Sequence, residues 1–271
     1  MDQHLDLDAY LARIGYEGPR EPTLETLKAV HRLHPAAIPF ENLDPLLGLP
    51  PRLDLASLQS KLVAGGRGGY CYEQNGLLKA ALDAMGFRVA ALAARVLWGV
   101  TADGPPRPRS HMLLEVRLDE RAYIADVGFG GVVMTAPLDL HGDGAQSTPH
   151  EPFRLTLRPD DRLLEAELDG QWRPLYAFTL EPQAPADYEV MNWFTATHPA
   201  SPFTFGLMAA RATAEGRVAL ADNRLTLRPK GHAPQQHVLT TVDELQAALE
   251  THFGIVAPPS IGQLSGRIGL A

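Results

Sequence analysis

The hydrophobic period of the chain changes near residue 87 from helical spacing to alternation, which restricts it to folds where a helical part precedes a sheet. Leu7, Tyr10, Leu11 and Ile14 recur at helical spacing, and Gly15 is placed to stop that helix. Leu24, Leu27 and Val30 mark a second helix from Thr23, expected to end before Pro35 because the residue preceding a proline avoids the helical region. A third is expected from Asp54 through Leu55, Leu58 and Leu62 into Gly65-Gly66, and a fourth through Leu77, Leu78, Ala81, Leu82 and Met85, closed by Gly86. Alternation then takes over in Val89, Ala91 and Ala93, in Met112, Leu114, Val116 and Leu118, and in Ala122 and Ile124. Further strands are expected at 153–158, 163–168 and 172–180, with loops at the Pro/Gly clusters 104–108 and 142–152 and a proline-rich linker at 182–185. The tail offers strands at 205–211, 217–221 and 224–228. A helix follows, opened by Thr241 with Glu244 three residues on, a capping-box pattern.

A chain of 271 residues with 45% hydrophobic and 21% charged residues can bury a substantial core. Its net charge of -8 argues against nucleic-acid binding, which needs a concentrated Lys/Arg surface. No uninterrupted apolar run of about 18 residues appears, so no membrane span is expected, and the acidic start Met1-Asp2-Gln3-His4-Leu5-Asp6 does not read as a secretion signal. One cysteine can form neither an internal disulfide nor a CxxC metal site, so no metal centre is expected, and a free Cys71 fits the reducing cytoplasm.

An arbitrary lone cysteine is more often a small buried hydrophobe than a nucleophile. Cys71 differs in its setting. It sits in Arg67-Gly68-Gly69-Tyr70-Cys71-Tyr72-Glu73-Gln74-Asn75, a glycine-rich turn entering the fourth helix, where unpaired N–H groups and the helix dipole favour a thiolate. A base can be singled out by strand pairing. Stretches 111–118 and 121–128 flank Asp119-Glu120 as an antiparallel hairpin with a two-residue or four-residue loop, and with either length facing residue numbers sum to 239. His111 then faces Gly128 and Leu113 faces Asp126, so His111 and Asp126 lie on one face as diagonal neighbours. Asp126 lies between apolar Ala125 and Val127, where an unpaired charge is expensive, so His111 is its expected partner. Taken singly, each reads equally well as a strand-end residue; together with Cys71 they form a Cys, His, Asp set. Gly128-Phe129-Gly130-Gly131 lets a ligand approach the backbone, or serves as a barrel corner with Phe129 in the core. Pro39-Phe40-Glu41-Asn42-Leu43 reads as structural support.

These residues resemble the arylamine N-acetyltransferase family. The resemblance rests on Ile38-Pro39-Phe40-Glu41-Asn42-Leu43, on Arg67 to Gly76, on His111 opening a strand and on Ala125 to Gly131, in the family's order over about the first half of the chain; the second half matches loosely. It implies an α+β multidomain fold with a cysteine-protease-like catalytic core: a helical bundle over 1–86 carrying Cys71, a β-barrel over 87–195 carrying His111 and Asp126, and an α/β lid over 196–271. It also implies ping-pong transfer of an acetyl group from acetyl-CoA, through acetyl-Cys71, to an arylamine or arylhydrazine. Phe129 and Phe203 are then expected as aromatic walls for the substrate, and Trp98, Gly130, Gly131 and His232 beside CoA. The Cys71 N–H is a candidate oxyanion donor. CoA phosphates call for local Arg or Lys, which the sequence does not single out. Two other readings of the same triad are a cysteine hydrolase or transglutaminase-like enzyme, and an inactive binding module that keeps the fold.

Overall fold

The computed structural model describes residues 4–100 and 105–270; residues 1–3 of the acidic start and residue 104 of the 104–108 loop lie outside them. Helix α1 (Leu7–Ile14) begins where the Asp6 carboxylate accepts the Ala9 N–H at 2.9 Å and ends at Gly15, whose φ of 68° is the left-handed stop. Helix α2 (Leu24–Ala37) is capped by Thr23 and, against expectation, runs through Pro35. The lost backbone bond falls in the last turn, and His31 and His34 anchor that turn through buried side-chain bonds. After strand β1 (Phe40–Glu41) and the short α3 (Leu43–Leu46), α4 (Leu55–Leu58) is capped by Asp54 and continues as a π-helical turn over Gln59–Ala64. Helix α5 (Cys71–Ala84) follows, its Leu77, Leu78, Ala81 and Leu82 fully buried against α1, α2 and one face of the barrel.

Strands β2 (Arg88–Val96), β3 (Arg109–Leu118), β4 (Arg121–Ala125), β5 (Leu138–Asp139), β6 (Ala145–Gln146), β7 (Phe153–Leu157), β8 (Arg162–Leu168) and β9 (Gln171–Pro182) form an antiparallel sheet in the order β5-β4-β3-β2-β9-β8-β7-β6. A side chain bridges its two edges: Gln146 accepts the Asp139 N–H at 2.8 Å and donates to the Asp139 carbonyl at 2.9 Å. The sheet is thereby nearly a closed barrel, filled by Leu92, Leu113, Ile124, Phe153, Leu164 and Phe178. The expected hairpin is present: Leu118 pairs with Arg121 and Leu114 with Ala125 around the two-residue turn at Asp119-Glu120, with Asp119 at φ 52°.

The proline-rich stretch expected to be a linker instead opens helix α6 (Pro185–Thr197); Pro185 occupies the first turn, where its missing N–H costs nothing, and Asp187 accepts the Ala184 N–H at 2.9 Å. Strands β10 (Met208–Thr213), β11 (Gly216–Ala221), β12 (Arg224–Pro229) and β13 (Gln235–Val238) form a second sheet, with β1 from the N-terminal part at its edge beside β10. Helices α7 (Val242–Ala248), opened by Thr241 as expected, and α8 (Ser265–Ile268) share its core with Leu43 and Leu46 of α3. The first and last parts of the chain are therefore knitted together by β1 and α3, and the Arg217 guanidinium ties the second sheet to the barrel through Glu151 and the Val133 carbonyl.

His31 and His34 fold neutral. Burial holds His31 down to about 4 against the pull of Asp126, and burial holds His34 down to about 3 despite its Gln74 bond. Depressed histidines contribute stability that is complete above the ordinary value of 6.5 and is lost as pH falls through the folded values. The melting temperature is expected to fall on acidification from pH 6.5 to 4, and a His34→Asn variant, with one such group removed, to fall less over that interval.

Candidate active site

Cys71 is the first residue of α5, so its N–H has no intrahelical acceptor, and its side chain is buried with Sγ 3.8 Å from the Ser110 carbonyl. The turn before it is tied down by buried and half-buried charges. Arg67 pairs with Glu41 at 2.7 Å and Asp44 at 2.9 Å, Lys61 bridges Asp44 at 2.6 Å and Glu73 at 2.7 Å, and Glu73 accepts the Tyr70 N–H at 3.1 Å. Burial, together with Glu41 and Asp44, pushes the Glu73 carboxyl up to about 7 against the pull of Lys61. The Pro39–Leu43 segment acts as the support expected of it: Glu41 accepts the Leu43 N–H at 2.7 Å, and Asn42 donates to the Gly206 carbonyl at 2.7 Å while accepting the Met208 N–H at 2.7 Å.

Strand β3 delivers His111 and the end of β4 delivers Asp126. Their side chains meet as the pairing requires, with Nε2 of His111 2.7 Å from Oδ2 of Asp126. Asp126 is fully buried and its carboxylate accepts four bonds: from His111, from the Tyr176 hydroxyl of β9 at 2.9 Å, from Asn75 Nδ2 of α5 at 2.9 Å and from the Gly128 N–H at 2.8 Å. Burial raises the Asp126 carboxyl, but His111, Asn75 and Gly128 outweigh it and hold the group below the ordinary carboxylate value. Burial likewise opposes a charged His111, yet the Asp126 charge and hydrogen bond, with a further bond to Cys71, push the ring up to about 10. With Nε2 committed to Asp126, Nδ1 is the nitrogen left for the thiol. The arrangement can take a proton from Cys71 and hold it as imidazolium.

Cys71 and His111 open on a cleft of about 1460 Å³ between barrel, helical part and second sheet. Of the residues singled out in the sequence, Phe129, Phe203, Trp98, Gly130 and Gly131 line this cleft. Phe129 stands edge-on to His111 with ring centroids 5.3 Å apart, and Phe203 packs edge-on against Tyr70 at 5.7 Å. His232 is exposed in the turn after β12 and is not part of the cleft wall. Three arginines, Arg107, Arg173 and Arg228, do line it, and none has an ion-pair partner among the described residues, whereas Arg217 is spent on Glu151. Among the described residues no group of three or more His, Cys, Asp or Glu side chains is placed to hold a metal ion, and no helix is long and apolar enough to cross a membrane.

Residues 23–260 match the family described as N-acetyltransferase. The chain is 42% identical to an arylamine N-acetyltransferase of Mycolicibacterium smegmatis over 266 residues, covering 97% of this chain and 95% of that one. It belongs to the arylamine N-acetyltransferase family. An Escherichia coli member is 40% identical over 252 residues, 92% of this chain and 88% of its own length. The solved Mycobacterium tuberculosis enzyme superposes with a TM-score of 0.91 at 40% identity, over 97% of this chain and 99% of that chain. The Mycobacterium marinum arylamine N-acetyltransferase in complex with CoA does so with a TM-score of 0.91 at 40% identity, over 97% and 98%.

Within this family fold, three site residues escaped the reading of the sequence. Asn75 stands one helical turn after Cys71, so the i, i+4 spacing already places the two on one face. Tyr176 reaches Asp126 only because the barrel brings β9 beside β2. His31 accepts the Asp126 N–H at 3.0 Å from the apolar face of α2, where a histidine among Leu27, Val30 and His34 is the available signal.

The glycine run differs residue by residue. A Cβ at Gly128 would lie 2.7 Å from Cys71 Cα and 2.8 Å from Asn75 Nδ2, whereas one at Gly131 would meet nothing within 4 Å. Gly128→Ala is expected to lose roughly 1–3 kcal/mol of stability by overpacking and to slow alkylation of Cys71, while Gly131→Ala melts and alkylates as wild type does. Thermal melting and iodoacetamide kinetics on the two variants check this.

Proposed function

We propose that the chain transfers an acetyl group from acetyl-CoA to an arylamine or arylhydrazine by a ping-pong cycle through acetyl-Cys71, with His111 as the proton carrier and Asp126 holding it. The observation that carries this reading is the Cys71 and His111 pair opening on one large cleft, with the buried Asp126 carboxylate behind His111 fully hydrogen-bonded. With the Cys71 proton already held on His111 as imidazolium, the thiolate attacks the thioester carbonyl in the first half-reaction, and the C–S bond to CoA breaks. The imidazolium gives its proton to the departing CoA sulfur. In the second, the neutral amine attacks the acetyl-Cys71 carbonyl, His111 takes the amine proton, and the Cys71 sulfur leaves as a thiolate beside imidazolium. The oxyanion formed in each half-reaction is within the role of the Cys71 N–H at the start of α5. Arylamines and arylhydrazines suit the second step because they are neutral near pH 7 and keep a free lone pair.

CoA as donor is supported by the family relationship and by the CoA complex of the Mycobacterium marinum relative. In this chain Trp98, Gly130 and Gly131 would flank the cofactor, and the unpaired Arg107, Arg173 and Arg228 would meet its phosphates, supplying the local charge that an acidic protein otherwise lacks. Phe129 and Phe203 would wall the aromatic acceptor. A single thiol with no disulfide partner suits work in the reducing cytoplasm.

Amine-dependent release of CoA, with a transient acetyl adduct on the wild type and none on Cys71→Ala by intact mass spectrometry, is the expected result. Folded wild-type protein showing neither release nor adduct with several acyl-CoAs would sink the reading. For the phosphates, Arg228→Gln combined with Arg173→Gln is expected to raise KM for acetyl-CoA by about tenfold, as loss of a charge-assisted contact does, with KM for the amine changed less than twofold. An unchanged acetyl-CoA KM would remove these arginines from the phosphate site.

A further inference from the structure

Asp126 is held at its main chain as well as at its carboxylate. The last pair of the β3–β4 ladder is Leu114 with Ala125, so the Asp126 N–H lies one residue beyond the strand and has no ladder partner there. Nε2 of His31 takes that N–H at 3.0 Å, from a helix that contributes nothing else to the triad. On the other side, Asn75 Oδ1 accepts the Val127 N–H at 3.0 Å. The peptide units before and after the Asp126 side chain are thus each held by a side chain from the helical part, and their orientation sets where the carboxylate points.

His31 costs the fold something to keep. It is fully buried, and accepting from Asp126 leaves Nε2 without a proton, so the neutral ring carries its proton on Nδ1. That Nδ1 has no hydrogen-bond partner; among the described residues no other buried side-chain nitrogen or oxygen lacks one. An apolar side chain would fill the space without an orphan donor but would leave the Asp126 N–H unpaired. A carboxylate would accept that N–H but would set a second negative charge against Asp126. A neutral imidazole accepts the bond and leaves the Asp126 charge for His111.

We propose that His31 is a positioning residue: its Nε2 fixes the Asp126 main chain so that Oδ2 faces His111. This rests on the transfer reading only in naming what the triad does; the contact acts on the thiol–imidazole pair whatever the acceptor. Loss of the bond frees the Ala125–Asp126 peptide to turn while Asn75, Tyr176 and the Gly128 N–H still satisfy the carboxylate, so the damage falls on alignment with His111.

The first test uses the wild-type protein alone. Nitrogen-15 NMR of the His31 ring at pH 7 is expected to show Nδ1 protonated and Nε2 bare; the opposite tautomer cannot accept from Asp126 and would overturn the proposal. The second compares His31→Gln, whose Oε1 can reach the Nε2 position, with His31→Asn, one carbon shorter, and with His31→Phe, which has no acceptor. Iodoacetamide alkylation of Cys71 across pH reads the thiol–imidazole pair without acetyl transfer, and single-turnover acetylation reads the reaction. The Asn variant, and the Phe variant if it folds, are expected to show a displaced alkylation profile and acetylation slowed at least about tenfold, the scale of a small misalignment. The Gln variant is expected to recover both to within about threefold on the same scale, with the amine KM unmoved throughout. Equal behaviour of folded Gln and Asn variants, or a folded Phe variant with the wild-type profile and rate, would overturn it. Failure of acetylation in the wild type itself would instead count against the transfer reading and leave the alkylation comparison intact.

Discussion

A charged carboxylate with no access to water survives in a protein interior only when donors surround it, and the fold converges on supplying them to Asp126. Each donor comes from a different element: His111 from β3, Tyr176 from β9, Asn75 from α5, and the Gly128 N–H from the loop itself. The pairing of β9 with β2 brings Tyr176 into reach, and the packing of α5 on the barrel brings Asn75. The same contacts that make the charge tolerable therefore register the helical part against the barrel, and they leave Cys71, four residues before Asn75, opposite His111.

The other side of Cys71 is held by charge as well. Arg67, Lys61, Glu41, Asp44 and Glu73 form a lattice of paired groups under the Arg67–Tyr70 turn, with Glu41 and Glu73 buried and the other three half-buried. Removing one member would strand its partners, so such a lattice fixes geometry more than it adds net stability. Glu41 lies in β1, which is also the edge strand beside β10. The turn that aims Cys71 and the sheet that walls the cleft thus share one short segment.

Much of this was legible in the sequence because it is local. The two-residue turn at Asp119-Glu120 and the alternation around it set the register that brings His111 to Asp126, and the glycine-rich entry to α5 marked Cys71. The Thr241 and Glu244 cap and the barrel strands followed from local pattern in the same way. What was not legible depends on distant segments. Helix α2 continues through Pro35 because its histidines are anchored from elsewhere, and α6 was hidden behind prolines that open it instead of breaking it. The pairing of Phe40 with Ala210, and the reach of Tyr176 across the barrel, have no signature in either stretch alone. The cations facing the cleft came from three separate strands and loops, so no run of sequence announced them.

The state of His111 in the resting protein decides whether Asp126 does what its surroundings imply. Titration of the His111 ring by nitrogen-15 NMR, with Cys71 reduced and no ligand added, reads it directly. Both ring nitrogens should stay protonated from pH 6 through 9, with loss of a proton only near the value of about 10 to which Asp126 and Cys71 push the ring against its burial. A ring that loses its proton near the ordinary 6.5 would show that the buried carboxylate does not hold the imidazolium, and would contradict the proton-carrying role given to this pair.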